Sequence, residues 1–171
     1  MSHENPVIET IKRRRSIRHF SREPVSEEVI NQILESGGWA PSGQNNQPWK
    51  FAIIQDKGLK ESLAALTHSR AIIQGAPVCI AIFLDHSKSY DRTKDVQAIG
   101  ASIQNMLLTI HALGLGGVWL GEILKNKDKV GELLETPKEL ELMAVVAFGH
   151  SDRPPERGKR DPIEKKVFLR K

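Results

Sequence analysis

The run VCIAIFL, residues 78–84, contains seven apolar positions and no polar alternation. It is far too short to cross a bilayer, which takes about 20 residues. A strand with one wet face alternates polar and apolar side chains, so an unbroken run belongs to a strand covered on both sides. FAIIQ at 51–55 and LMAVVAFGH at 142–150 have the same character. Three buried strands need apolar layers above and below, and the stretches between them carry helical spacing. The expectation is an α+β or α/β sandwich, with a few-stranded sheet between helical layers.

The helices are read from caps and periodicity. Asn5-Pro6 can cap and open a short first helix with Val7, Ile8 and Ile11 on one face. Ser26 is a suitable N-cap, Glu27 and Glu28 follow where the helix dipole favours acids, and Val29, Ile30, Ile33 and Leu34 give an apolar face. Gly37-Gly38 is expected to stop that helix. GLKESLAALTHS, residues 58–69, reads as one amphipathic helix. The longest helix is expected over 91–113, where Val96, Ile99, Ile103, Met106, Leu107, Ile110 and Leu113 keep helical spacing. Small residues (Ala98, Gly100, Ala101, Ser102) fill its other faces, so it is placed centrally and at a subunit interface. Gly114 ends it, VWL is a short extended piece, KVGELLE a short helix, SDRPPERGKRDP a polar loop, and the tail VFLRK a further strand. No repeat or linker divides the 171 residues, so one domain over 1–171 is expected.

Several functions are disfavoured at this stage. A net charge of +4 does not require a nucleic-acid partner, and an aromatic content of 5% leaves few stacking platforms for single strands. The lone Cys79 cannot form an internal disulfide, and no signal or membrane-spanning pattern is seen, so a cytoplasmic location is expected. The histidines have no metal-ligand spacing, and His111 reads as a packed helix residue. There is no GxSxG and no GxxxxGK[ST]. GLGG at 114–117 is not a dinucleotide fingerprint, because its glycines follow a helix and open a strand.

The positive signals concern anions and flat rings. RRRSIRHF, residues 13–20, gathers guanidinium groups that can hold a phosphate bidentately, with a serine hydroxyl among them. GKRDP adds Lys159 and Arg160. APSGQNNQPW, residues 40–49, supplies side-chain amides that both donate and accept, as the edge of a heterocycle requires. GLGGVWLGE supplies glycines that let backbone N–H groups approach a ring. Together these describe a mononucleotide-like cofactor.

The same motifs, in this order and over nearly the whole chain, resemble the FMN-dependent nitroreductase family. RRS-x-R followed by P-S-x-x-N-x-Q-P-W is the most specific pair. The resemblance implies a homodimeric α/β/α sandwich with a few-stranded mixed sheet, FMN at the subunit interface and NAD(P)H as hydride donor. Arg14, Arg15 and Ser16 would hold the phosphate and ribityl chain. Arg18 would lie near the pyrimidine edge, and Asn45 with Gln47 would read that edge. Pro41, Ser42 and Gly43 would come from the partner subunit. The backbone of Trp119, Leu120 and Gly121 would pass along one ring face with an N–H near N5, and Lys159 and Arg160 would close the phosphate site. The flavin itself would perform the chemistry, passing a hydride through N5 to an electron-poor small molecule such as a nitroaromatic or quinone, so no catalytic side chain is expected. The helical insertion that roofs the pocket in longer members is missing, and residues 86–93 read as a short loop. Rival expectations are a dehalogenase or flavin-degrading enzyme of the same fold, a flavin binder without turnover, and a basic nucleic-acid module.

Overall fold

A computed structural model describes residues 5–155 and 158–171. Its centre is the strand pair formed by β2 (Val78–Asp85) and β4 (Leu140–Gly149), flanked by β1 (Trp49–Ile54) and β3 (Gly116–Leu120) in the order β1-β2-β4-β3. All three pairings are antiparallel, so the mixed sheet that the resemblance implied is corrected to an antiparallel one among the described residues. Parallel character is confined to an isolated bridge between Ser16 and Gly117 on the outer edge of β3.

Every residue of β2 is buried, as its unbroken apolar run requires. Its side chains alternate between two cores. Val78, Ile80, Ile82 and Leu84 join Ile30 and Ile33 of α2 (Glu27–Gly38) and Ile99, Ile103, Met106 and Ile110 of α5 (Arg92–Ala112). Cys79, Ala81 and Phe83 face the other way. They meet Leu63 of α3 (Lys57–Ala64), Ile73 of α4 (Arg70–Gly75) and Val130 of α6 (Lys127–Leu133). The expected layering of helix, sheet and helix is therefore present.

The caps work as read. Asn5 accepts from the Val7 N–H at 2.9 Å at the start of α1 (Pro6–Arg13), and Ser26 accepts from the Val29 N–H. Three expectations need correction. Gly37-Gly38 does not stop α2 but forms its last turn, because Gly37 is a seat for α5: a methyl there would lie 2.8 Å from Met106 Cγ and 3.1 Å from Ser102 Oγ. The helix begun at Lys57 ends at Ala64, and α4 is a separate element whose Ser69 offers no side-chain cap bond. The tail 167–171 forms no strand, and Phe168 is 98% exposed: three apolar residues followed by Arg170 and Lys171 carry too little pattern to secure a strand partner.

Candidate functional site

The arginine segment is held by backbone rather than by its charges. Ile17 N–H donates to Gly117 O at 3.0 Å, and Ser21 N–H donates to His150 O at 2.9 Å. Gly116 must be glycine for this docking, because a Cβ would sit 2.6 Å from the Ile17 side chain. The segment thus crosses the end of the β3–β4 pair. Opposite it lies the loop that leaves β4.

Between them is a cleft of about 380 Å³. Residues 14–19 form one wall, and Ser151, Arg153, Pro154, Pro155 and Arg160 form the other. The two basic clusters, more than a hundred residues apart in sequence, therefore meet. Among the described residues, no carboxylate pairs with Arg14, Arg15, Arg18 or Arg160. Arg15 Nη1 instead donates to the carbonyls of Lys12 (2.6 Å) and Arg14 (2.8 Å), and Gly158 lies so close that a Cβ would be 2.5 Å from its guanidinium carbon. Arg15 is thus bonded within its own segment and packed against Gly158. Burial first, then the charges of Arg160 and Arg15, push the Arg14 pKa below its usual value. His111 on α5 shares this field: burial, then Arg14 and Arg15, depress its pKa below the usual imidazole value. Asp152 pairs with Arg153, but the other four guanidinium groups crowd together with no carboxylate partner among the described residues, which leaves a positive field that favours an anion.

Lys159 does not line the cleft; its carbonyl accepts from Arg160 Nη1 at 2.8 Å. Arg153 does line it, and was not expected to. Its only signal in the sequence is the basic excess that begins there. Arg18 is exposed, with Nη1 3.4 Å from Ser16 O.

The amide loop lies outside the cleft. It turns through a 3-10 helix at Gly43–Asn45, with Gln44, Asn45 and Gln47 in the left-handed region at φ 55°, 55° and 47°. Ser42 Oγ accepts from the Gln47 N–H at 3.0 Å and shapes the loop from within. Asn45 and Gln47 are exposed, as is Pro41.

Trp119 and Leu120 end β3, an edge strand. Leu120 is buried, while Trp119 is 42% exposed with its ring beside Gly100 of α5. Beyond the Ser16 bridge, the outer edge at these residues has no strand partner among the described residues. Just after Gly121, Glu122 accepts from Thr67 Oγ1 (2.5 Å) and the His68 N–H (3.0 Å) and pairs with Lys125. Lys125, then Thr67 and His68, hold its carboxyl at a pKa of about 2. It pins the end of β3 to the turn before α4. No group of His, Cys, Asp and Glu among the described residues could hold a metal ion.

The comparisons with known proteins decide the family. The profile of the Nitroreductase family matches residues 11–72 and 65–150. The chain belongs to the Nitroreductase family. A crystal structure from Desulfovibrio desulfuricans, assigned as a nitroreductase in complex with FMN, is 43% identical, with a TM-score of 0.95 and 99% of each chain covered. A Methanothermobacter thermautotrophicus protein assigned as an NADH dehydrogenase/NAD(P)H nitroreductase is 32% identical over 91% of this chain and 83% of its own length. The NADPH:FMN oxidoreductase of Vibrio harveyi, solved with NAD+, is 27% identical with a TM-score of 0.91, covering 98% of this chain and 78% of that one.

Proposed function

We propose that this nitroreductase-family chain is an FMN-dependent oxidoreductase. It takes a hydride from NAD(P)H and delivers it to an electron-poor small molecule, nitroaromatic or quinone-like. The observation that carries the reading is the cleft in which Arg14, Arg15, Arg18 and Arg160 have no carboxylate partner among the described residues, beside the open edge of β3. The donor set fits the cofactor. Arg14, Ser16, Arg153 and Arg160 suit a phosphate dianion, because charge-assisted bonds from planar guanidinium groups match its oxygens. The amides of Asn45 and Gln47, which have donors and acceptors to offer, suit the ring edge. FMN, when bound, supplies the hydride chemistry, and so no nucleophile or proton-transfer pair is asked of the protein.

What the chain contributes is binding, orientation and charge. Arg15, bonded to the carbonyls of Lys12 and Arg14, packs against Gly158 and holds the first wall in place. Glu122 fixes the end of Trp119-Leu120-Gly121, the backbone that would lie along the ring. Arg18 adds positive potential at the mouth. Only residues 86–91 join β2 to α5, with a single 3-10 turn, so no extra helix roofs the site there. An open pocket supports a broad range of acceptors.

Homodimerisation is part of the proposal. α1 buries none of its residues, and Val7, Ile8 and Ile11 are 64%, 47% and 50% exposed, a continuous apolar stripe of the kind that marks an interface. A second copy would cover it and bring an amide loop to an arginine cleft. A cytoplasmic setting is also proposed, supported by the single, free, buried Cys79. No helix among the described residues is long and apolar enough to cross a membrane.

The test is reconstitution. The purified chain should take up FMN stoichiometrically, turn yellow, bleach with NADH or NADPH under anaerobic conditions, and regain colour when an acceptor is added. Failure to take up FMN refutes the reading. Uptake without bleaching by either nucleotide reduces the protein to a flavin carrier.

A further inference from the structure

Asp95 lies in the first turn of α5 and is fully buried. Among the described residues, no Lys, Arg or His pairs with it. Its oxygens are satisfied by hydrogen bonds alone. Oδ2 accepts from Ser89 Oγ at 2.6 Å and from the N–H groups of Tyr90 and Asp91 at 3.2 and 3.3 Å. Oδ1 accepts from Asn46 Nδ2 at 2.7 Å. Burial pushes the carboxyl toward the neutral form, but the bonds from Ser89, Asn46 and the two backbone groups outweigh it and hold the pKa below the usual carboxylate value. A buried carboxylate without a counter-ion is an expensive way to gain stability, since an apolar residue would serve a core better.

What this carboxylate grips is the amide loop. Asn46, between Asn45 and Gln47, is held on two points, because the same Nδ2 also donates to Lys88 O at 3.0 Å. A second grip lies at Gly43, where any Cβ would collide with Tyr90 Oη. The Tyr90 ring is itself steadied by Lys94, whose Nζ is 5.1 Å from its centroid. The loop needs such holding. Gln44, Asn45 and Gln47 occupy the left-handed region, which side chains of this size resist and which persists only where the surroundings enforce it.

We infer that Asp95 is a positioning residue: through Asn46 it latches the strained amide loop into the shape that presents Asn45 and Gln47 to the ring edge of the cofactor. The inference rests on the reading of that loop given above. Asp95 touches neither the phosphate cleft nor any reacting atom. Its effect should therefore appear as loop order and ring affinity, not as phosphate affinity.

The experiment uses Asp95→Asn, which keeps the side-chain volume and removes the charge, and Ser89→Ala, a milder cut that serves if the first variant fails to fold. Two quantities are read on the full chain: amide hydrogen exchange at 43–47 without cofactor, and dissociation constants for FMN and for riboflavin, which lacks the phosphate. Exchange at 43–47 should rise about tenfold while β2 and β4 stay protected. Both dissociation constants should rise together by about tenfold, with their ratio unchanged. Unchanged exchange overturns the latch. Loosened exchange with neither affinity moved overturns the positioning role and removes Asn45 and Gln47 from the site. A loss confined to FMN also overturns it, because Asp95 would then act through the phosphate. If the wild-type chain itself ignores FMN, the proposed function fails, and the exchange result alone judges the latch.

Discussion

Arg14→Ala should weaken FMN binding while leaving the cofactor-free protein as stable as before. The two effects usually run together when a half-buried charged side chain is removed, because its partner is stranded. Here there is no partner to strand: among the described residues Arg14 meets no carboxylate, and its nearest charges are those of Arg160 and Arg15. Removing it relieves like-charge crowding in the empty cleft. In the loaded protein it removes charge-assisted hydrogen bonding to a phosphate, a contribution of about 1.5–3 kcal/mol. At 1.4 kcal/mol per decade, the dissociation constant for FMN should rise about 10- to 140-fold. Riboflavin, without the phosphate, should bind the variant and the wild type alike, and added salt should narrow the FMN difference by screening. Calorimetric titration with both ligands, and thermal melts without either, measure this directly. A parallel loss for riboflavin would refute the phosphate assignment. So would a fall in the cofactor-free Tm of more than about 4 °C, the shift that about 1 kcal/mol produces in a chain of this size.

Two further outcomes follow from the packing and the charges. The Glu122 carboxyl, held near a pKa of about 2 against an ordinary 4.5, stabilises the fold fully above about pH 4.5 and loses that contribution as the pH falls toward 2. In Glu122→Gln the melting temperature should depend less on pH across that window than in the wild type; equal slopes would mean the contacts to Thr67, His68 and Lys125 contribute nothing. Gly37→Val should destabilise by about 1–3 kcal/mol in urea titrations, because its side chain must displace Met106, whereas Gly38→Ala, with nothing within 4 Å, should stabilise by about 0.4–1 kcal/mol; the same sign at both positions would contradict the account of how α2 meets α5.

The layering and the strands were legible because burial writes itself into local pattern. The apolar run in β2 implies cover on two faces, and α5 declares itself by spacing from Val96 to Ile110. The meeting of the two basic clusters was legible only as a possibility, since guanidinium groups near a chain start are as often solvated, and it is the shared cleft that brings Arg14 and Arg160 together. Long-range partners were not. Asp95 reads as an acid in a helix's first turn, a common placement, and nothing local says that Asn46 will meet it. Gly37 looks like a terminator because the glycine pair suits a helix end, and only the approach of Met106 reveals another reason for it. Arg153 sits in a polar loop whose composition does not distinguish a ligand from a solvated charge. α4 was missed because six residues without a side-chain cap carry too little periodicity to stand out.

The cleft's walls come from residues 14–19 and from Ser151, Arg153, Pro154, Pro155 and Arg160, with the whole sheet between them in sequence. During synthesis, which proceeds at about 5–20 residues per second, the first wall must wait for several seconds at least before the second emerges. A nascent or prematurely terminated chain has only half a grip on a dianion and should not retain the cofactor. If the proposed reading holds, flavin loading would work as a check on completion: only a polypeptide translated through Arg160 would become coloured.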